Sequence, residues 1–173
     1  MMPQNVEIKA RLRDLALQTS LAEQLCRGNG QRLHQVDVFF RCDTGRLKLR
    51  TFGDGTGELI FYRRANKLGP KLSEYVLAPT NDPIPLRVAL ANAYGEVAVV
   101  EKERLVHIYQ RTRIHLDRVR NLGDFLELEV VLNEGDSIES GEKEAAVLMQ
   151  ELQIEDSMLI SDAYIDLIQR SDQ

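Results

Sequence analysis

Two stretches near opposite ends of the chain, NVEIKARL at 5–12 and DFLELEV at 124–130, alternate a charged or polar side chain with an apolar one. A period of two marks a β-strand whose faces meet different surroundings. A strand with Glu and Lys on one side and Val, Ile and Leu on the other needs a sheet with one wet face and one covered face. The pattern recurs along the chain and predicts strands at about 4–12, 34–41, 46–52, 57–64, 71–78, 97–105, 108–119 and 124–132. CDTG at 42–45, GDGTG at 53–57, NKLGP at 66–70 and NLGD at 121–124 are short turn-forming connections, which join antiparallel neighbours.

Helical patterns fill the gaps. Asp14 is placed as the N-cap of a helix to about Arg27, stopped by GNG at 28–30. A short amphipathic helix covers 86–94 and ends at Gly95. Ser140 is placed as the cap of a helix through about Leu152, and 158–168 forms the last helix. The expected class is α+β: one domain over 1–173, built on an antiparallel sheet whose eight strands suffice to close a barrel with helices outside.

The pleat assigns faces. Asn5, Glu7, Lys9 and Arg11 share a side, as do Arg46, Lys48 and Arg50, then Glu58, Tyr62 and Arg64, then Lys71, Ser73 and Tyr75. Lys102 and Arg104 follow on the sixth strand, Arg111, Arg113, His115 and Asp117 on the seventh, and Glu127 and Glu129 on the eighth. These charges form either a solvated outer surface or, with the helices covering the apolar face, the lining of a water-filled tunnel. A dry interior is excluded, because unpaired buried charges are very costly. Arg and Lys from several strands suit a polyanion rich in oxygens. Carboxylates among them suit a hard divalent cation, Mg²⁺ or Mn²⁺, bridging to phosphate.

The formal net charge of −5 argues against a general nucleic-acid surface, yet an acidic exterior can coexist with a basic hole. The longest apolar runs fall far short of a membrane span, and no secretory leader pattern stands out. Cys26 and Cys42 show no metal-ligand spacing and are expected to stay reduced. The expectation is a cytoplasmic protein with neither a membrane nor a nucleic acid as partner.

NVEIK at 5–9, GRLKLR at 45–50, LIFYRR at 59–64, GPKLSEY at 69–75, VEKER at 100–104, TRIHLD at 112–117 and FLELE at 125–129 together resemble the CYTH superfamily, the triphosphate tunnel metalloenzymes. Each motif is weak alone; their order and spacing are specific. The resemblance implies an eight-stranded antiparallel tunnel in which Lys9, Arg11, Lys48, Arg50, Arg64, Lys102, Arg104 and Arg113 grip a triphosphate. It implies Glu7, Glu127 and Glu129 as metal ligands with Asp117 as a helper, and Lys9, Glu7 and Glu129 as the catalytic set. Asn5 stands where the family often has Glu, and it offers a carbonyl oxygen without charge. The implied activity is a metal-dependent triphosphatase acting on inorganic or organic triphosphate, such as tripolyphosphate, ATP or thiamine triphosphate. Class IV adenylate cyclase chemistry and non-catalytic polyphosphate or nucleotide binding are the alternatives, and a homodimer is the assembly considered. Arg111 is solvated or tunnel-facing. His115 faces the tunnel or makes a structural hydrogen bond. Tyr62, Ser73 and Tyr75 are wall packing or site, Lys71 is a phosphate gate or a surface lysine, and Arg118 and Arg120 belong to the outer or rim surface.

Overall fold

The computed structural model describes residues 2–171; Met1, Asp172 and Gln173 of the expected domain lie outside the described residues. Its elements are β1 (Gln4–Arg11), α1 (Leu15–Cys26), β2 (Gln31–Phe40), β3 (Arg46–Phe52), β4 (Gly57–Arg64), β5 (Lys71–Thr80), α2 (Pro83–Tyr94), β6 (Glu96–Tyr109), β7 (Thr112–Val119), β8 (Gly123–Leu132), α3 (Ile138–Glu151) and α4 (Tyr164–Ser171). The strands close into an antiparallel barrel in the order β1-β5-β4-β3-β2-β6-β7-β8, with β8 pairing back to β1. Closure leaves no free edge.

The covered face is the outer one. Val6, Ile8 and Ala10 of β1, Ile114 and Leu116 of β7, and Leu126, Leu128 and Val130 of β8 are buried against Ala22 of α1 and Ala145, Leu148 and Met149 of α3. Each large aliphatic side chain so buried contributes about 1.5–3 kcal/mol. Gly141 permits the approach of α3, since a Cβ there would lie 2.8 Å from Val6 Cγ2. On the far side Val38, Phe40 and Leu49 pack against Leu86 and Leu90 of α2.

A third cluster departs from this scheme. Phe39, Val100 and Phe125 share their strand faces with the charged side chains, yet they are buried against Ala163, Tyr164 and Ile165. The fourth helix therefore sits across one end of the barrel and turns the tunnel into a cup.

Several boundaries differ from the sequence expectation. The sixth strand runs unbroken to Tyr109, and the turn falls at Gln110, whose φ is 52°. Ser137 rather than Ser140 caps α3, because its side chain accepts from Ser140 N at 3.1 Å while the Ser140 hydroxyl donates to Ser137 O at 2.8 Å. The helix expected over 158–168 is interrupted. A 3-10 turn at Asp156–Met158 leads into a segment that pairs with the end of β1, where Ile160 N donates to Lys9 O at 2.9 Å. Ala163 N then donates to Asp166 Oδ2 at 2.9 Å as α4 starts. No helix among the described residues is long and apolar enough to cross a membrane.

Candidate functional site

The barrel encloses a cavity of about 320 Å³ lined by Glu7, Lys9, Lys48, Arg50, Arg64, Lys102, Arg104, Arg113, Glu127 and Glu129, together with Asn5, Asp37, Tyr62, Ser73, Tyr75, His115 and Tyr164. The pleat places them there: in each strand the side chains between them point to the outer face, which the helices cover over β1–β3 and β6–β8. Ten of the twelve site residues expected from sequence thus converge on one space.

Every one of these cations meets a carboxylate. At the closed end Asp37, 1% exposed, holds three. Arg50 donates Nε to Oδ1 at 2.7 Å and Nη2 to Oδ2 at 2.8 Å, and the Nζ atoms of Lys48 and Lys102 reach Oδ2 at 2.7 Å and 3.2 Å. Arg104 forks onto Asp117 with two bonds of 2.6 Å and donates Nη2 to Glu127 Oε2, also at 2.6 Å. Lys9 Nζ lies 2.9 Å from Glu127 Oε1 and 3.4 Å from the centre of the Tyr164 ring, a cation–π contact. Arg64 donates to Glu7 at 2.5 Å and Arg113 to Glu129 at 2.8 Å. Such paired charges can stand in for water in a buried site. A phosphate chain entering the cup would compete with the carboxylates for the same donors.

Burial also tunes the titration of the lysines. It pushes Lys102 down to about 7, with Arg50 and Arg104 adding to the effect against the pull of Asp37. Burial and then Arg50 bring Lys48 down to about 8. For Asp37 burial acts upward, but Arg50, Lys102 and Lys48 outweigh it and hold the carboxyl well below its usual range. Burial likewise works upward on Glu127, where Lys9 and Arg104 reverse the direction and keep it ionised. Glu7 moves up through burial, reinforced by Glu129 and Glu127 and opposed by Arg64.

Two expected residues fall outside the cavity. Arg11 is exposed at the end of β1; its Nη1 donates to Leu122 O at 2.8 Å and its guanidinium lies over Phe125. Asp117 is fully buried, and both its oxygens are used, by Arg104 and by the Tyr164 hydroxyl at 2.8 Å. It therefore braces Arg104 from outside the cavity lining. Both have the right parity, but they lie beyond the level at which α4 closes the barrel. Other open readings resolve similarly. Arg111 pairs outside with Glu144 and Asp136, and Arg46 with Asp166. Lys71 is not a surface lysine: it is fully buried and donates to the carbonyls of Lys67 and Ile160 at 3.0 Å and 3.5 Å. Arg118 and Arg120 are exposed at the rim, as expected.

Sequence reasoning missed Asp37 and Tyr164. The first was findable, since QVDVFF places Gln35, Asp37 and Phe39 on one face of β2. The second comes from a helix that no strand pattern reports.

Among the described residues, His115, Glu127 and Glu129 are a group that could hold a metal ion, with ligand atoms within 4.8 Å of one another. His115 Nδ1 is buried without a hydrogen-bond partner, 3.8 Å from Glu127 Oε2 and 3.7 Å from Glu129 Oε1. An orphaned nitrogen facing two carboxylates fits one divalent cation. Asn5 Oδ1, also buried and lining the cavity, is likewise without a partner. Away from α4 the lining changes character: Leu33, Phe52, Ile60, Leu77 and Val106 form an apolar collar at the open end.

Solved structures share this barrel. A conserved hypothetical protein from Pyrococcus furiosus superposes with a TM-score of 0.82 at 20% identity, covering 94% of this chain and 99% of that one. The PH1012 protein of Pyrococcus horikoshii OT3 gives 0.81 at 20% identity, covering 94% and 98%. A candidate adenylate cyclase of Vibrio parahaemolyticus gives 0.77 at 13% identity, covering 98% and 99%. At these identities the likeness establishes the fold. No curated protein matches the chain in sequence. The CYTH domain profile matches residues 3–164, which spans the barrel and the start of α4. With a closed eight-stranded barrel, charge lining its inside and that match over most of its length, the chain belongs to the CYTH domain family.

Proposed function

We propose that this protein is a divalent-metal-dependent triphosphatase whose substrate lies along the barrel axis with its terminal phosphate towards α4. The observation that carries this reading is the inward convergence of Lys9, Lys48, Arg50, Arg64, Lys102, Arg104 and Arg113 on one cavity, beside three donors suited to a metal. The cations are already balanced by carboxylates, so a highly charged triphosphate needs a further positive centre. His115, Glu127 and Glu129 would hold a dication, which would supply that centre and Lewis acidity towards a phosphoryl oxygen.

The chain's own residues have separable tasks. Lys9, Lys102 and Arg104, deep in the cup, neutralise the oxygens of the terminal phosphoryl group as charge redistributes. Lys48, Arg50 and Arg113 hold the bridging and inner phosphates. Glu7, shifted upward by burial and released from Arg64 when that guanidinium turns to phosphate, takes the proton of the attacking water. The water oxygen bonds to the terminal phosphorus, the bond from that phosphorus to its bridging oxygen breaks, and orthophosphate and a diphosphate leave. Glu129 is a metal ligand in this scheme, and Lys9 positions the terminal phosphate.

A second reading, class IV adenylate cyclase, draws support from the apolar collar, which can receive an organic group at the mouth. There the ribose 3′-hydroxyl attacks the α-phosphorus of ATP and pyrophosphate leaves. One panel separates the two: tripolyphosphate, ATP and thiamine triphosphate, each with Mg²⁺ and with Mn²⁺. Orthophosphate release is the expected result. Cyclic AMP with pyrophosphate identifies the cyclase, and tight binding without turnover overturns both.

A further inference from the structure

We infer that the cation held in this barrel is a first-row transition dication of the Mn²⁺ or Co²⁺ type, with His115 Nδ1 as a direct ligand that selects it over Mg²⁺. The inference rests on the metal-dependent reading above and adds a ligand and a metal class to it.

Three observations converge. His115 is 5% exposed and its Nδ1 bonds to nothing, although two carboxylates stand 3.7 and 3.8 Å away. Those separations are too long for hydrogen bonds, and a closure of about half an ångström would bring the donors onto a shared ion. A buried nitrogen left unsatisfied is costly, so a purely structural histidine would be expected to close on one of its neighbours.

In the free protein the other oxygen donors near the site are either held by a cation or uncharged. Glu7 is held by Arg64, and Asp117 by Arg104 and Tyr164. Asn5 Oδ1 lines the cavity without a partner and brings an oxygen but no charge. The donors that stand together are one imidazole nitrogen and two carboxylates. Imidazole suits Mn²⁺, Co²⁺ and Zn²⁺, whereas Mg²⁺ favours oxygen and keeps its water.

The carboxylates are not idle either. Lys9 and Arg104 occupy both oxygens of Glu127, and Arg113 occupies Oε2 of Glu129. A phosphate chain that draws these cations away frees oxygens for the metal. Metal and triphosphate therefore tighten each other's binding, and by linkage the effect is reciprocal.

Pulsed electron paramagnetic resonance on the full chain with Mn²⁺, alone and with a methylene-bridged triphosphate, reads the ligand directly. The expected result is a ¹⁴N coupling from imidazole in the wild-type protein and its loss in His115→Gln. Calorimetry on the same samples should show the Mn²⁺ dissociation constant rising on the order of tenfold or more in that variant, with Mg²⁺ affinity much less affected. The wild-type spectrum needs no variant to fold. Bound Mn²⁺ without nitrogen coupling overturns the role of His115 and leaves the carboxylate site standing. Absence of Mn²⁺ binding even with the triphosphate analogue overturns both.

Discussion

Replacing Glu127 and Glu129 together with Gln is expected to lower metal-dependent turnover by about 10³-fold or more, since it removes the charge that holds the metal. Gln is the informative choice. Lys9, 3% exposed, has its ion pair with Glu127, and Arg104 shares that carboxylate. An Ala pair would strand these buried cations, and loss of activity would then be confounded with loss of fold. The amide keeps a hydrogen-bond acceptor beside each. Circular dichroism and a melting curve should show the barrel intact, and orthophosphate release should fall to background. Full activity in the double variant would remove both residues from the metal site.

The second large effect concerns Asp37 and stability. Asp37→Ala leaves Arg50, Lys48 and Lys102 without their common counter-ion in a buried setting. Breaking such a pair typically costs about 3–5 kcal/mol, a large share of the roughly 5–15 kcal/mol that holds a domain folded. Lys102, already pushed down to about 7 by burial, sheds its proton first and limits the loss. The telling feature is rescue. Tripolyphosphate binds the cations that Asp37 has left, so it should raise the melting temperature of the variant more than that of the wild type. Equal shifts would mean that phosphate does not reach this end of the cup.

How much of this was written in the chain follows from what a period of two can report. It fixes which side chains share a face, so the pairing of Lys9 with Glu127, more than a hundred residues apart in sequence, could be anticipated in kind. It says nothing about height along the barrel. Arg11 and Asp117 have the correct parity but lie outside the cavity, because depth is set by strand register and by where α4 covers the end. Tyr164 was invisible for the same reason: its role comes from tertiary packing of a short helix, and the sequence before it breaks helical continuity to pair with β1. Which of two nearby serines caps α3 was likewise settled by hydrogen-bond geometry, since both offer the same hydroxyl. For His115 the sequence left a structural and a functional role open, and it took the position of Nδ1 between Glu127 and Glu129 to weigh them.

The central claim is that phosphate binds among the buried inner lysines of the barrel. Calorimetric titration of tripolyphosphate at pH 8, in two buffers of different ionisation enthalpy, tests it most directly. In the free protein Lys102 titrates near 7 and is largely neutral at pH 8. An adjacent phosphate raises its pKa, so binding draws a proton onto Lys102; below pH 6 the lysine is already charged and this contribution fades. The account predicts one saturable site, weaker binding in Lys102→Met, and a proton exchange at pH 8 that is shifted towards uptake in the wild type relative to that variant. No binding, or equal affinity and equal proton exchange in wild type and variant, would contradict it.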